Sequence, residues 1–174
     1  MAGEPLMVGR AEGPLGPLVA GVDDGGVWFL EFGGGGRSDA HLEALGRRLD
    51  RPLVRRRHPL LDRLRGELEE YFDGRRRVFE VPVRLEGTPF QLRVWHELTK
   101  IPYGEVRSYL QIARGLGDPQ AVRAVGGANG SNPISIVVPC HRVIGADGSI
   151  VGYGGGLERK RWLLAHERGE RPLF

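Results

Sequence analysis

The feature that most constrains the fold of this chain is its single cysteine, Cys140. One thiol excludes an intramolecular disulfide, and with so few candidate ligands a structural zinc site is disfavoured as well. Stability then depends on the burial of apolar surface. With 174 residues, of which 40% are hydrophobic, the chain is long enough to form one domain or two small ones.

Nothing in the sequence predicts a membrane or secretory protein. No apolar run approaches the roughly 20 residues that span a bilayer, and residues 1–8 lack the basic-then-apolar order of a signal peptide. A free thiol also suits a reducing compartment. We therefore expect a soluble cytoplasmic protein that binds no membrane.

Charge is unevenly distributed along the chain. Residues 1–85 contain 14 Arg against 14 Asp and Glu, whereas residues 86–174 contain 11 Lys and Arg against 8 acids, so the net charge of +3 lies in the second half. This is a modest preference for a polyanion and does not by itself establish DNA binding. The arginine triplets 55–57 and 75–77 are interpreted as solvated surface, because acids match them in number.

The first half of the chain is predicted to form a small sheet with helices. The predicted elements are strands at 16–20, 27–32 and 78–85, with a hairpin turn at 23–26, and two leucine-rich helices that end before Pro52 and near Gly74. We assign residues 1–85 to an N-terminal α/β domain. Nothing in it indicates chemistry.

The second half, residues 86–174, is predicted to be mostly helical. The predicted helices are one capped by Thr88, a short one opened by Ser108, one from Pro119 through Val125 and a last one at 157–168. Between the last two we predict a tight connection at 128–133, a strand ending at Cys140 and a hairpin at 143–151. The second and third helices fit a helix-turn-helix, which would direct Arg123 toward DNA. An ordinary helical hairpin fits them equally well.

Cys140 stands beside His141, after the branched apolar run 136–138 and Pro139. The thiolate is the nucleophilic form of cysteine, so an imidazole that takes the proton would prepare such chemistry. Consecutive side chains on an extended backbone point to opposite sides, so His141 would reach the sulfur through a water or a bend at Pro139. A buried structural cysteine fits the same residues, and the segment alone leaves both interpretations open.

Further motifs surround this segment in a fixed order. They are Ile101-Pro102-Tyr103-Gly104-Glu105-Val106, Ser108-Tyr109, Arg123-Ala124-Val125-Gly126-Gly127-Ala128, Pro139-Cys140-His141-Arg142-Val143, Tyr153, Gly155-Gly156-Leu157, Lys160, Trp162-Leu163-Leu164 and His166-Glu167. Over residues 88–167 the set closely resembles the O6-alkylguanine-DNA alkyltransferases, also called methylated-DNA–protein-cysteine methyltransferases. The spacing of several ordered motifs distinguishes this resemblance from a chance match.

The resemblance implies a fold and an activity. The fold is α/β (α+β), with a ribonuclease-H-like sheet-plus-helix domain followed by a mostly helical domain that contains a helix-turn-helix. The activity is direct reversal of DNA damage, in which an alkyl group moves from O6 of guanine in duplex DNA to the sulfur of Cys140. O4 of thymine is a second candidate substrate. No cofactor is implied, and the stable thioether means that each molecule acts once.

The resemblance also implies the catalytic roles. Cys140 is the nucleophile, and His141, oriented by Glu167, activates it through a water. Tyr109 would donate a hydrogen bond to N3 of the departing guanine, and Lys160 would assist from the far side of the pocket. Without the resemblance, Tyr109 and Lys160 would be interpreted as amphipathic surface residues.

DNA recognition follows from the same resemblance. A base in a duplex cannot reach a recessed sulfur, so the nucleotide must be flipped out at a cost of roughly a few kcal/mol. Arg123 resembles the arginine finger that fills the vacated space, and the small residues Ala124 and Gly126 suit close approach in the minor groove. Asn132 resembles a hinge residue that also lies beside the DNA-binding region. We expect a monomer. Whether several copies bind along one duplex is left open.

The implied substrate pocket departs from that of some relatives. It comprises Ser135, Val143, Val151, Tyr153 and Gly154, with the carbonyls of Cys140 and Val143 reading the guanine. Gly154 stands where some relatives carry serine, Ser135 where some carry proline, and Val151 where some carry glycine. We therefore expect a tighter, more polar pocket that discriminates against bulky O6 groups. No metal site is expected.

Two alternatives from other functional classes remain at this point. One is a non-catalytic protein that binds alkylguanine lesions, although relatives of that kind replace the cysteine and Cys140 is present. The other is a hydrolase that uses Cys140, His141 and Glu167. Such an enzyme would turn over repeatedly and leave the thiol unmodified.

Overall fold

The computed structural model describes residues 3–33 and 39–170 and has the mixed α/β architecture that the sequence predicts. The chain divides into two compact units, Met1–Arg84 and Leu85–Phe174, called here the N-terminal and C-terminal units. Within the described residues, no helix has the length and apolar character required to cross a membrane.

A four-stranded sheet with the order β3-β2-β1-β4 forms the base of the N-terminal unit. Its strands are β1 Leu6–Ala11, β2 Leu18–Asp23, β3 Gly26–Phe32 and β4 Leu53–Arg55. The first three form an antiparallel meander, and β4 pairs parallel to β1. The predicted hairpin is confirmed, because a carboxylate oxygen of Asp23 accepts hydrogen bonds from the N–H groups of Gly25 and Gly26 in the turn.

Two helices cover the two faces of this sheet. They are α1 Asp39–Leu49 and α2 Pro59–Phe72, and the structure confirms the prediction of both. Leu6 and Val8 pack with Leu45 of α1, whereas Gly9 lies under Leu61 of α2. Alternate residues of a strand face opposite sides, so β1 is covered by one helix on each face.

The predicted strands of this unit need correction. β1 and the three-residue β4 lack a clear alternating pattern and were not predicted. Residues 78–85 form only an isolated bridge between Val83 and Val27, so the predicted strand there is wrong. The N–H groups of Glu80 and Val81 are bonded by the side chain of Glu67 instead, which satisfies the backbone without a sheet ladder.

Helices predominate in the C-terminal unit, as predicted. Its elements are α3 Pro89–Thr99, β5 Arg107–Ser108, α4 Tyr109–Gly115, α5 Val122–Gly130, a 3₁₀ turn Cys140–Arg142, β6 Val143–Ile144 and α6 Leu157–Glu167. Thr88 and Ser108 are the predicted caps of α3 and α4, and each forms a capping box with a glutamine three residues later.

Helix α5 differs from the prediction at both ends. It begins at Val122 because residues 118–121 form a turn, in which Ala121 N donates to the carbonyl of Asp118. It also continues to Gly130, so the tight connection predicted at 128–133 is wrong for residues 128–130, which are helical. Each interior glycine costs a helix roughly 1 kcal/mol relative to alanine, and the packing of α5 against α3 and α4 offsets this cost.

The predicted strand that ends at Cys140 is not formed. Ile134 forms only an isolated bridge and residues 135–137 form a turn, although Ile134, Ile136 and Val138 are each buried. Alternating burial therefore occurs here without a strand. The predicted hairpin at 143–151 is wrong too, because β6 pairs parallel with β5 and residues 145–149 only close a turn.

Candidate active site

Cys140 begins the 3₁₀ turn and is 5% exposed. Its N–H donates to the carbonyl of Val138 at 2.8 Å, and Arg142 N donates to the carbonyl of Pro139 at 3.0 Å. The backbone is therefore turned rather than extended. Both Cys140 and His141 project into the interior, so the opposite orientation expected of neighbours on a strand does not arise.

Asn132 holds the loop before Cys140. Its Nδ2 donates to the carbonyls of Val138 and Ile134 at 2.8 and 3.4 Å, and its Oδ1 accepts from Ile134 N at 3.0 Å. Within this loop Ile136 has φ 71°, a left-handed conformation that β-branched residues rarely adopt. The amide of Asn132 thus stabilises a backbone shape that is unfavourable on its own.

Glu167, the last residue of α6, connects three segments. Its Oε1 accepts from His141 Nε2 at 2.7 Å and from Arg142 Nη2 at 2.8 Å. Its Oε2 accepts from Arg142 Nε at 2.9 Å and from Gly104 N at 3.3 Å. Arg142 also donates to the carbonyl of Ile101 at 2.7 Å. The carboxylate is thus held by a buried ion pair with Arg142 and by the hydrogen bond from His141.

This network fixes the protonation of His141. Burial alone would raise the pKa of Glu167, but hydrogen bonds from His141 and Arg142 outweigh it and hold the pKa well below the ordinary value. Burial lowers the pKa of His141 by more than Glu167 raises it, so the ring is neutral. A neutral ring that donates from Nε2 to a carboxylate keeps its lone pair on Nδ1.

Nδ1 of His141 is buried and has no hydrogen-bond partner in the described part of the chain. It is therefore available as a proton acceptor. Burial raises the pKa of the Cys140 thiol, and the side chain of Asn132 and the charge of Lys160 reduce that increase. The thiol and the imidazole are therefore both neutral at neutral pH.

Lys160 is buried in α6, and its ammonium group connects strand β6 with the loop at 151–152. Nζ donates to the carbonyl of Val143 at 2.5 Å and to those of Val151 and Gly152 at 2.8 and 3.0 Å. Burial lowers the pKa of Lys160 to about 8, against the opposing effect of Cys140. The three accepting carbonyls favour the ammonium form, so Lys160 is a cation at neutral pH.

Tyr109 is the first residue of α4 and lies near the thiol. Its hydroxyl donates to the carbonyl of Val151 at 2.9 Å. Burial raises the pKa of Tyr109, the charge of Cys140 raises it further, and the side chain of Asn129 opposes both. Tyr109 and Lys160 thus converge on one carbonyl, which places both beside the loop that follows β6.

The residues predicted for the pocket contribute unequally. Val143 is fully buried, and Ser135 is half-buried with its side chain near the hydroxyl of Tyr153. Gly154 is exposed. The side chain of Val151 is exposed as well, and the residue contributes through its carbonyl.

Of the residues predicted to contact DNA, Arg123, Ala124 and Gly126 lie on α5, whereas Tyr109 begins α4 and Asn132 follows α5. Arg123 and Ala124 are exposed, and Gly126 is half-exposed. A Cβ added at Gly126 or Gly127 would meet nothing within 4 Å. This part of the α5 surface therefore lacks side chains and is unobstructed, and Arg123 lies near the N-terminus of the helix.

Asn129 is a polar residue of the site that sequence reasoning missed. It is 4% exposed and donates from Nδ2 to the carbonyl of Cys140 at 3.3 Å. A signal was present, because Asn129 lies four residues after Val125, on the buried face of α5. The expectation that the helix ended at Val125 concealed this periodicity.

A cavity of about 500 Å³ lies within the N-terminal unit, between α1 and β4, and not beside Cys140. Leu42, Arg47, Arg51 and Leu53 are among its lining residues. Among the described residues, no group of three or more His, Cys, Asp or Glu side chains is placed to hold a metal ion.

Comparisons with known proteins identify the family. A model of the 6-O-methylguanine DNA methyltransferase DNA-binding domain matches residues 89–169. The methylated-DNA–protein-cysteine methyltransferase of Methanosarcina acetivorans is 41% identical over 160 residues, which cover 90% of this chain and 94% of that protein. The chain belongs to this family. The resemblance inferred from the ordered motifs is thus confirmed.

Other family members are similar over different lengths. The methylated-DNA–protein-cysteine methyltransferase of Mycolicibacterium paratuberculosis is 58% identical over 106 residues, 61% of this chain, and the match spans only 64% of that relative's length. The crystal structure of the Mycobacterium tuberculosis O6-methylguanine methyltransferase superposes with a TM-score of 0.81 at 39% identity, covering 97% of this chain and 96% of that one. A structure of the same mycobacterial protein in complex with DNA gives a TM-score of 0.77 at 42% identity, covering 94% and 93%.

Proposed function

We propose that this protein repairs DNA by moving a methyl or other small alkyl group from O6 of guanine in duplex DNA to Cys140, once per molecule. The observation that carries the proposal is the buried Cys140-His141-Glu167 arrangement. In it, the carboxylate holds one nitrogen of the imidazole and leaves the other as a base. The family membership and the DNA complex of the mycobacterial relative support the choice of substrate.

The reaction is a single displacement at the alkyl carbon. A bond forms between Sγ of Cys140 and the carbon, the bond from the carbon to O6 breaks, and its electron pair remains on the guanine. The thiol proton passes through a water to Nδ1 of His141. Because Nε2 donates to a carboxylate that remains ionised, the imidazolium formed is stabilised where it arises.

The leaving guanine needs compensation for its developing negative charge. We propose that the hydroxyl of Tyr109 leaves the carbonyl of Val151 and donates to N3 of the guanine. Lys160 acts without direct contact, because its three protons hold the carbonyls that shape the pocket. Its positive charge also favours negative charge on Cys140.

We infer that α4 and α5 form a helix-turn-helix and that α5 approaches the minor groove of the flipped site. The exposed Arg123 would fill the space of the extruded base, while the open surface at Gly126 and Gly127 permits close approach. Asn132 would keep the connection from α5 to Cys140 in one shape.

The remaining proposals concern architecture and location. We infer two domains, 1–85 and 86–174, and the division of the chain into compact units after Arg84 supports this boundary. The strand order β3-β2-β1-β4, with only β4 parallel to its neighbour, supports a ribonuclease-H-like N-terminal domain. We place the protein in the cytoplasm, where a single free thiol stays reduced.

The direct test is mass spectrometry of the protein after incubation with a duplex that contains one O6-methylguanine. We expect a mass gain of one CH₂ unit per molecule, located on the peptide that contains Cys140. Cys140→Ala should gain nothing and still bind the duplex. A thiol that stays unmodified while the lesion disappears would instead indicate a hydrolase.

A further inference from the structure

Glycines surround Tyr153 in the loop between β6 and α6. Residues 152 and 154–156 are all glycine. Gly152 has φ 66° and Gly156 has φ 94°, so the backbone is left-handed on both sides of Tyr153. Glycine adopts this conformation without strain, but it also loses more conformational freedom on folding than any other residue. A loop of this composition therefore needs contacts from outside it to hold Tyr153 in one position.

Two neighbouring cations near the start of α6 supply such contacts. Lys160 Nζ donates to two carbonyls on the N-terminal side of Tyr153. Arg159 Nη1 donates to the carbonyl of Gly155 at 3.0 Å, on the C-terminal side. A helical side chain points toward the N-terminus of its helix, so Arg159 extends over the first turn of α6 to the end of the loop. Sequence reasoning assigned a role to Lys160 and none to Arg159.

The bond from Arg159 fastens a turn of the backbone. Gly156 N donates to the carbonyl of Tyr153 at 3.0 Å and closes the turn 153–156. Gly155 lies within this turn, and its carbonyl is the group that Arg159 holds. A side chain of α6 therefore ties the turn that carries Tyr153 to the helix.

The same turn places the phenol of Tyr153 near the thiol. The hydroxyl oxygen of Tyr153 is buried. Burial raises the pKa of Tyr153, the charge of Cys140 raises it further, and the side chain of Ser135 and the charge of Arg159 oppose both. The thiol and the guanidinium are therefore both neighbours of the phenol. A shift of the turn would move the aromatic ring relative to the sulfur.

We propose that Arg159 is a positioning residue for alkyl transfer, which keeps Tyr153 beside Cys140 through its bond to Gly155. The proposal rests on the proposed alkyl transfer and adds to it a residue that acts through Tyr153. A misplacement of roughly 1 Å in a site can slow a reaction by up to about a hundredfold, so a tether on a glycine-rich loop matters for the rate.

The first measurement follows Tyr153 itself. With 3-fluorotyrosine in place of Tyr153, the fluorine NMR signal reports the surroundings and the mobility of the ring. We expect one sharp signal when Arg159 is present and a shifted or broadened signal in Arg159→Leu, which keeps an apolar side chain and loses the donors. Arg159→Lys keeps a cationic donor and should bring the signal back toward that of the wild type.

The second measurement is single-turnover transfer from a duplex with one O6-methylguanine. The second-order rate should fall about fivefold in Arg159→Leu, and Arg159→Lys should recover most of the loss. Affinity for an undamaged duplex should stay unchanged, because no base then enters the pocket. Arg161→Leu removes an exposed arginine of the same helix and is the matched control, which should alter neither the signal nor the rate.

An unchanged fluorine signal or an unchanged transfer rate in Arg159→Leu would each overturn the proposal. It would also be overturned if this variant bound undamaged duplex more weakly, with a salt dependence reduced by about one counterion, because Arg159 would then contact a phosphate. Failure of the wild-type protein to methylate Cys140 would instead reject the proposed function, whereas the fluorine signal would still test how Arg159 holds Tyr153.

Discussion

The N-terminal and C-terminal units differ in the polar groups that they bury. Among the described residues of the N-terminal unit, Glu67 is the buried charged side chain. In the C-terminal unit the buried polar and charged residues are Asn129, His141, Arg142, Lys160 and Glu167. Burying charge is costly unless partners compensate it, so the concentration of such groups around Cys140 marks the unit that carries the chemistry.

Glu67 and Glu167 show the difference most directly, since both side chains are almost fully buried. Glu67 accepts from the backbone of residues 80 and 81 and from Arg63, so it fastens a loop. Glu167 accepts from His141 and Arg142, so it holds the imidazole in one orientation. Two equally buried carboxylates can therefore have different roles, and the groups that donate to each one decide which role it has.

The largest loss of alkyl transfer should come from removing the carboxylate of Glu167. Glu167→Ala leaves Arg142 buried without its partner, which costs about 3–5 kcal/mol of unfolding free energy, and it also releases His141. We expect transfer to fall by at least about a hundredfold per folded molecule, because the base loses its orientation. Urea unfolding and single-turnover transfer measure the two quantities.

Glu67→Ala is the matched control for this comparison. It should lower stability by about 1–3 kcal/mol, since two N–H groups lose their acceptor. Transfer per folded molecule should stay at the wild-type rate. If Glu67→Ala loses transfer at temperatures where it is fully folded, the conclusion that Glu67 serves stability alone is wrong.

The next effect concerns pH and Lys160. The pKa of Lys160 is lowered to about 8, so the cation is lost as pH rises above that value, whereas rising pH favours the Cys140 thiolate. We expect transfer to decline above pH 8, by up to about tenfold per unit. Lys160→Arg keeps its charge and should not decline there. A wild-type rate that keeps rising to pH 10 would contradict the role of the cation.

A smaller effect is expected from the exposed arginine of α5. Arg123→Ala should weaken binding to lesion-containing duplex by about tenfold and reduce the salt dependence of binding by about one counterion. Arg47→Ala changes an exposed arginine of α1 in the N-terminal unit and should leave both quantities unchanged. Fluorescence anisotropy at several salt concentrations tests this pair, and equal losses would refute a specific role for Arg123.

The smallest effect concerns the size of the alkyl group. We expect O6-benzylguanine to react more slowly than O6-methylguanine, and Val151→Gly to narrow the difference by about threefold. The exposed side chain of Val151 predicts a modest change, because its carbonyl makes the principal contacts. Equal wild-type rates for the two substrates would rule out the restrictive pocket.

Much of the architecture could be predicted because it depends on local signals. The caps Thr88 and Ser108, the hairpin at Asp23 and the leucine-spaced helices each lie within a few residues of the feature that specifies them. The errors arose where distant partners decide the structure. Residues 78–85 alternate like a strand, yet the N–H groups of Glu80 and Val81 donate to the side chain of Glu67 in α2 instead of to a neighbouring strand.

The family and the single thiol can be read from the order of the residues, because ordered motifs and the identity of Cys140 are independent of conformation. The way in which that thiol is held depends on contacts between distant segments. The tertiary structure turns the apolar run before Cys140 into a loop clamped by Asn132, places Glu167 against His141 from 26 residues away, and brings Asn129 to the carbonyl of Cys140. The physical reason is that buried polar groups must find partners wherever the fold supplies them, and sequence spacing does not encode those partners.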